Sequence, residues 1–229
     1  MDKQVEVLAI VEGKTEQIFI EAILAPYFAE KGIYLRATQV SKPGQKGGDV
    51  KFSRTIKDIG NHLKQRSDTY VATFVDYYGI KEWPGLDKVP PQASPTKIAE
   101  VVNLETCLLV ATTYPELQTH TRYIPYLAVH EFEALLFSCS ETLAAKLSIK
   151  LEQVEKVLSD CGEPEAINNS PITAPSKRLD AWVIGGKFKK TSAGISIASS
   201  IGISKMREKC PVFNTWLLAL ERLVAVNEP

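Results

Sequence analysis

The sequence predicts an α/β fold: a parallel sheet flanked by helices, followed by a helical C-terminal extension. Three observations carry that expectation. Apolar, β-branched runs alternate with helically periodic segments in the order β-α-β-α-β-α-β up to about residue 139, the pattern of parallel strands joined by crossover helices. The first strand run is almost wholly apolar, as a strand covered on both faces is. Beyond residue 139 the strand patterning stops and only helical spacing continues.

Val5 to Val11 is β-branched and interrupted only by Glu6. Gly13 breaks the run, and Thr15 is placed to cap the next helix. From Glu16 to Lys31, apolar residues recur at Ile18, Phe19, Ala22, Ile23 and Phe28, which is helical spacing, and Gly32 ends the helix. Ile33 to Val40 reads as a second strand. Ser41 to Gly48, with Pro43, Gly44, Gly47 and Gly48, reads as a flexible loop. Phe52 to Arg66 is helical, and Tyr70 to Val75 is a third strand ending at Asp76. Prolines and glycines make Gly79 to Pro95 an excursion loop. Thr96 to Thr113 is a strong helix with Ile98, Val101, Val102, Cys107, Leu108 and Ala111 available to bury. Arg122 to Val129 is a fourth strand that runs into His130-Glu-Phe-Glu133. Ser140 to Cys161 and Ser199 to Val226 are helical in pattern. The expected organisation is an α/β core over 1–139 and a helical extension over 140–229 packed on it.

The composition narrows the function classes. With 229 residues, 45% of them hydrophobic and 24% charged, the chain is of ordinary globular composition. No apolar run approaches the roughly 20 residues needed to span a bilayer, and no secretory signal opens the sequence, so a cytoplasmic protein without a membrane partner is expected. Cys107, Cys139, Cys161 and Cys210 form no C-x-x-C pair and read as small buried apolar residues. Lys+Arg and Asp+Glu both number 27. A protein that coats nucleic acid nonspecifically is basic, so any polyanion site here is local.

Ligands of open parallel sheets gather at the carboxyl ends of the strands. Three of the four strands end in acids: Glu12, Asp76, and Glu131 with Glu133. One such acid alone is usually a helix cap or a solvated loop residue; the coincidence of three carries the argument. Carboxylates gathered at one edge repel unless a cation sits among them, and oxygen-only ligation suits Mg2+ or Mn2+ and phosphoryl chemistry. Two tempting motifs fail. Gly13-Lys-Thr15 lacks the earlier P-loop glycine, because position 8 is Leu8, and His130-Glu131 lacks a second zincin histidine, because position 134 is Ala134. His130 remains a candidate acid-base group. Lys14 is the first basic residue to test. Lys46 and Lys51, near the glycine-rich loop, and Lys177, Arg178 and Lys187, in a second basic cluster that continues to Lys190, are the candidate phosphate contacts.

Val11-Glu-Gly-Lys-Thr-Glu16 resembles the opening motif of Toprim domains, found in topoisomerases, primases and overcoming-lysogenization-defect nucleases. Val75-Asp-Tyr-Tyr-Gly79, the segment Tyr126 to Phe137, Thr173-Ala-Pro-Ser-Lys-Arg178 and the segment Ile203 to Leu220 resemble a bacterial Toprim-like family of domains of unknown function, number 4276. The resemblance implies a Toprim-like, Rossmannoid sheet. It implies that Glu12 binds metal or serves as acid-base, and that Asp76 stands for the first aspartate of Asp-x-Asp. The second aspartate is replaced by Tyr78. It also implies an antiphage defence module paired with an ABC-type ATPase. The resulting expectation is an Mg2+- or Mn2+-dependent nuclease acting on DNA or RNA, in which Glu131 or Glu133 completes the acid set. The rival expectation is a catalytically silent subunit of an ATPase complex. Homo-oligomer formation is a further option.

Overall fold

Four strands, β1 (Val5–Val11), β2 (Ile33–Gln39), β3 (Thr69–Asp76) and β4 (Tyr123–Ala128), pair in parallel in the order β2-β1-β3-β4 in the computed structural model, which describes residues 4–41, 50–78, 80–167 and 170–225. Register runs from Val5 opposite Ile33 and from Val11 opposite Phe74; β4 joins through Val71 opposite Tyr123 and Asp76 opposite Ala128. The fold class expected from the sequence is the one observed.

β1 lies between β2 and β3, so the chain winds outward in both directions from the β1–β3 seam. Such a seam is the topological switch point of a doubly wound sheet, where a crevice opens at the carboxyl ends of the strands. Glu12 follows one of its strands and Asp76 ends the other.

The helix after β1 is one rod in three parts: α1 (Lys14–Phe19), a π-helical turn over Ile20–Leu24, and α2 (Ala25–Ala29). The remaining core helices are α3 (Phe52–Gln65), α4 (Pro95–Thr113) and the short α5 (Thr119–Arg122). Ser94 caps α4 by accepting from the Lys97 amide. The excursion loop is anchored by Trp83, whose buried indole N–H donates to Thr106 Oγ1 of α4 at 3.0 Å. At the opposite end of the sheet from the acids, the Arg122 guanidinium donates to the carbonyls of Thr69, Leu63, Leu117 and Arg66, so the end of α3 and the start of β3 are tied by one side chain.

After β4 the chain makes a buried 3-10 run, Phe132–Ser138, and then α6 (Ser140–Leu147), α7 (Leu151–Cys161), α8 (Pro175–Trp182), a π-helical turn at Lys190–Gly194, α9 (Ile195–Ile201), α10 (Ile203–Lys209) and α11 (Pro211–Ala225). The two helical stretches expected here are both broken. Ser148 adopts a left-handed conformation between α6 and α7, Gly202 takes a positive φ with extended ψ before α10, and Pro211 starts α11 afresh. The extension shares the core of the sheet. Phe19 packs edge-on to Phe132 at 5.0 Å and lies 6.1 Å from Phe213 of α11, while Trp216 stacks on Tyr126 of β4 at 4.8 Å. Among the described residues no helix is long and apolar enough to cross a membrane.

Candidate active site

The acids arrive at the switch point by short local steps. Glu12 is the residue after β1. Gly13 then turns the chain, and Glu16 lands in the first turn of α1, 7% exposed. A side chain at position 13 would crowd it, since an added Cβ would stand 3.1 Å from Glu16 Oε2. Burial raises the Glu16 carboxyl above its usual range, opposed by its own backbone amide, by Lys190 and by the Gly13 amide. This is the return half of a capping box, in which a third-position glutamate reaches back to the helix start.

Asp76 ends β3 on the same face as Phe74, because alternate strand residues share a face. Phe74 forms an aromatic floor with Phe19, Phe132 and Tyr126. Asp76 Oδ1 accepts from the Phe132 amide at 3.1 Å and so holds the exit of β4 against β3. Burial pushes its carboxyl well above the carboxylate range; Glu16, Glu12 and Glu133 push it further, and Lys190 opposes them. Asp76 is thus the point on which Glu12, Glu16 and Glu133 all act.

Glu131 and Glu133 flank the fully buried Phe132 and take different partners. Glu131 Oε2 accepts from the Ser176 amide at 2.9 Å and Oε1 from the Ser176 hydroxyl at 2.8 Å, so this carboxylate anchors the first turn of α8. Glu133 is 1% exposed and faces Lys190, whose Nζ lies 2.8 Å from Oε1. The pair is close but poorly aligned: neither Glu133 oxygen has a well-formed hydrogen bond among the described residues. Burial pushes the Glu133 carboxyl up to about 7 against the pull of Lys190. Burial alone would lower the Lys190 ammonium, yet Glu133, Glu131 and Asp76 outweigh it and hold it above the usual lysine range.

His130 takes a left-handed conformation, φ 73°, which is unusual for a non-glycine residue and frequent at functional sites. Its carbonyl accepts from the Tyr78 amide at 2.8 Å, so position 78 serves the site through its backbone. Burial pulls the imidazole down to about 4, and Nδ1 is buried with no hydrogen-bond partner among the described residues. The ring is therefore neutral at physiological pH.

The basic candidates divide. Lys187 lines an open cleft of 790 Å3 together with Thr15, Lys189, Lys190, Thr191 and Ser192. Lys190 connects that cleft to the acids. Lys14 is exposed and donates to Gln17, Lys51 reaches Glu82, Lys177 reaches Asp180, and Arg178 Nε donates to the Thr173 carbonyl. Lys46 lies outside the described residues. The sequence reading assigned no site role to Glu16 and left Lys190 as one of several lysines in a basic run. Glu16, three residues after a turn glycine, carried the capping-box spacing that could have drawn attention to it. No local pattern singled out Lys190 from its neighbours.

The donor set suits a hard divalent cation in type and charge: it is oxygen-only, mutually repelling, and includes a buried carboxylate without satisfied hydrogen bonds. Among the described residues, no three His, Cys, Asp or Glu side chains stand close enough to share an ion; the Lys190 ammonium takes the cationic position against Glu133.

No curated protein and no solved structure matches the chain. A family model described as Domain of unknown function (DUF4276) matches residues 11–221, and the chain belongs to this family.

Proposed function

We propose that this member of a family of unknown function is a Toprim-type, Mg2+- or Mn2+-dependent hydrolase of phosphodiester bonds in DNA or RNA. One observation carries the reading: acids that follow β1, end β3 and lie at the β4 exit are set along one carboxyl edge of the sheet, where Glu12, Glu16 and Glu133 all act on Asp76, beside a lysine-lined cleft. Glu12, Asp76 and Glu133 are the acids that would have to draw together around the cation, since as they stand no three side chains share one position among the described residues. When bound, such an ion neutralises charge building on the phosphoryl group and makes water more acidic.

The chain's own residues do the rest. Lys190 offers an ammonium to a phosphate oxygen at the mouth of the acid cluster. Lys187 and Lys189 line the approach for the flanking phosphates. The neutral His130 has a ring nitrogen able to give or take a hydrogen bond or a proton. Glu131 fixes the start of α8, and the Phe19, Phe74 and Phe132 floor keeps water from beneath the carboxylates, which strengthens their pull on a cation.

Purified protein assayed on plasmid, single strands and tRNA with Mg2+ and Mn2+ should cleave at least one of them. Glu12→Ala and Glu133→Gln should each lower the rate by about a hundred-fold or more, since metal stabilisation contributes several kcal/mol. Equal cleavage by wild type and both variants would sink the assignment.

A second reading rests on Tyr78 in place of an acid and on the lack of a three-ligand group among the described residues: a catalytically silent subunit of an ATPase complex. Manganese titration separates the two, because the silent subunit should show no binding that depends on Glu12 and Glu133.

A further inference from the structure

The segment between α8 and the Lys190 turn presents an isoleucine to water. Ile184 is fully exposed, at 107%, on a turn that is well held at its base. The Gly186 amide donates to the Val183 carbonyl at 3.1 Å, and the Phe188 amide donates to Asp180 Oδ1 at 2.8 Å. Trp182 rests 5.7 Å from the Phe137 ring, and Phe188 is buried. Gly185 and Gly186 both have positive φ, 92° and 68°, the conformation that lets the chain reverse at the tip. The turn therefore projects one apolar side chain from a supported base.

Its surroundings are cationic. Ile184 shares the 790 Å3 cleft with Lys187, Lys189 and Lys190, and Lys190 ends 2.8 Å from Glu133. The nearby acid, Asp180, is engaged by the Phe188 amide. A surface that sets a lone exposed aliphatic tip beside three lysines and one acid, Asp180, matches a partner with anionic edges and an apolar stacked interior, which describes double-stranded nucleic acid. Proteins that grip single strands present exposed aromatic platforms, and the one aromatic in this cleft, Phe188, is buried. Aliphatic side chains entering a base step are how several proteins unstack and bend a duplex.

We infer that the 183–187 turn is a duplex wedge: Ile184 enters a base step while Lys187 and Lys189 hold the phosphates on either side, so that the adjacent phosphodiester faces the acid cluster. The inference rests on the hydrolase reading above and assigns its substrate class as double-stranded or hairpin nucleic acid.

Duplex oligonucleotides carrying 2-aminopurine report unstacking by a rise in fluorescence, and binding can be read in EDTA without turnover. Wild type should bind duplex and raise the signal. Ile184→Ser should lose the rise and about ten-fold in duplex affinity, because burying one aliphatic wedge contributes on the order of the energy that separates such affinities. Ile172→Ser, at another exposed isoleucine, should change neither. Lys187→Gln with Lys189→Gln should weaken duplex and single strand alike. Duplex binding and signal unchanged in Ile184→Ser would overturn the wedge, while cleavage lost in Glu133→Gln would leave the hydrolase reading standing. Ile184-dependent binding to anionic phosphatidylserine vesicles without such dependence on duplex would also overturn it, in favour of a membrane surface. Failure of wild type both to bind nucleic acid in EDTA and to cleave it with Mn2+ would overturn both.

Discussion

Glu165 and Glu133 are each 1% exposed, and burial pushes each carboxyl up to about 7. Their surroundings differ. Glu165, in the short 3-10 turn Pro164–Ala166, accepts from the amides of Val212 and Phe213 at 2.8 and 2.9 Å, so both of its oxygens cap the first turn of α11. It satisfies donors that a helix start would otherwise leave unpaired, in a place where the helix dipole favours an anion. Glu133 instead faces a lysine that reaches in from an exposed position, and it acts on the neighbouring Asp76. The same chemical group at the same depth is a structural fastener for backbone amides in one region and the partner of a single lysine in the other. A buried acid is thus informative about function through its partners, and its depth alone says little.

The contrast can be broken most forcefully at Glu165. Glu165→Ala should lower unfolding stability by about 4 kcal/mol, since two buried amides lose their acceptor. Glu133→Gln should leave stability within about 1 kcal/mol, because it removes like-charge repulsion and lets Lys190 return to water. Urea unfolding of both variants decides this, and a loss at Glu133 as large as that at Glu165 would erase the distinction.

The next effect is a pH profile. The Glu165 carboxyl ionises near 4.5 in the unfolded chain and at about 7 when folded, so between those values only the native state keeps the proton. Raising pH through that window should remove about 3 kcal/mol of stability, present in full below 4.5 and lost above 7. Glu165→Gln should flatten this part of the curve, as measured by thermal unfolding at stepped pH.

The smallest effect sharpens the assignment of the two neighbours on the β4 exit. Glu131→Gln keeps one acceptor for Ser176 and should cost about 1 kcal/mol. Any cleavage activity should fall far less than in Glu133→Gln. A reversal of that order in kcat would make Glu131 the site acid and Glu133 the fastener.

Much of this architecture was legible in the residues. The four strands fall within one or two positions of where β-branched runs place them, and Glu12 and Asp76 were visible as acids ending such runs. The breaks at Ser148, Gly202 and Pro211 were harder to read, because helical periodicity continues across them and only the packing of α6, α10 and α11 shows where the axis turns. The roles of the second acidic pair were not legible at all: Glu131 meets Ser176 from 45 positions away, and Lys190 comes to Glu133 from 57 positions beyond it.

By itself, the sequence determined the α/β class, the carboxyl-edge acids and the family, because hydrophobic period and strand-end residues are local properties that each segment carries wherever it packs. The tertiary structure alone decided the order β2-β1-β3-β4, which sets Glu12 beside Asp76 at the switch point, and it alone decided which buried glutamate meets backbone amides and which meets a lysine. Strand order and hydrogen-bond satisfaction depend on which distant groups meet, and a buried charge takes its meaning from those partners, since water is no longer there to supply them.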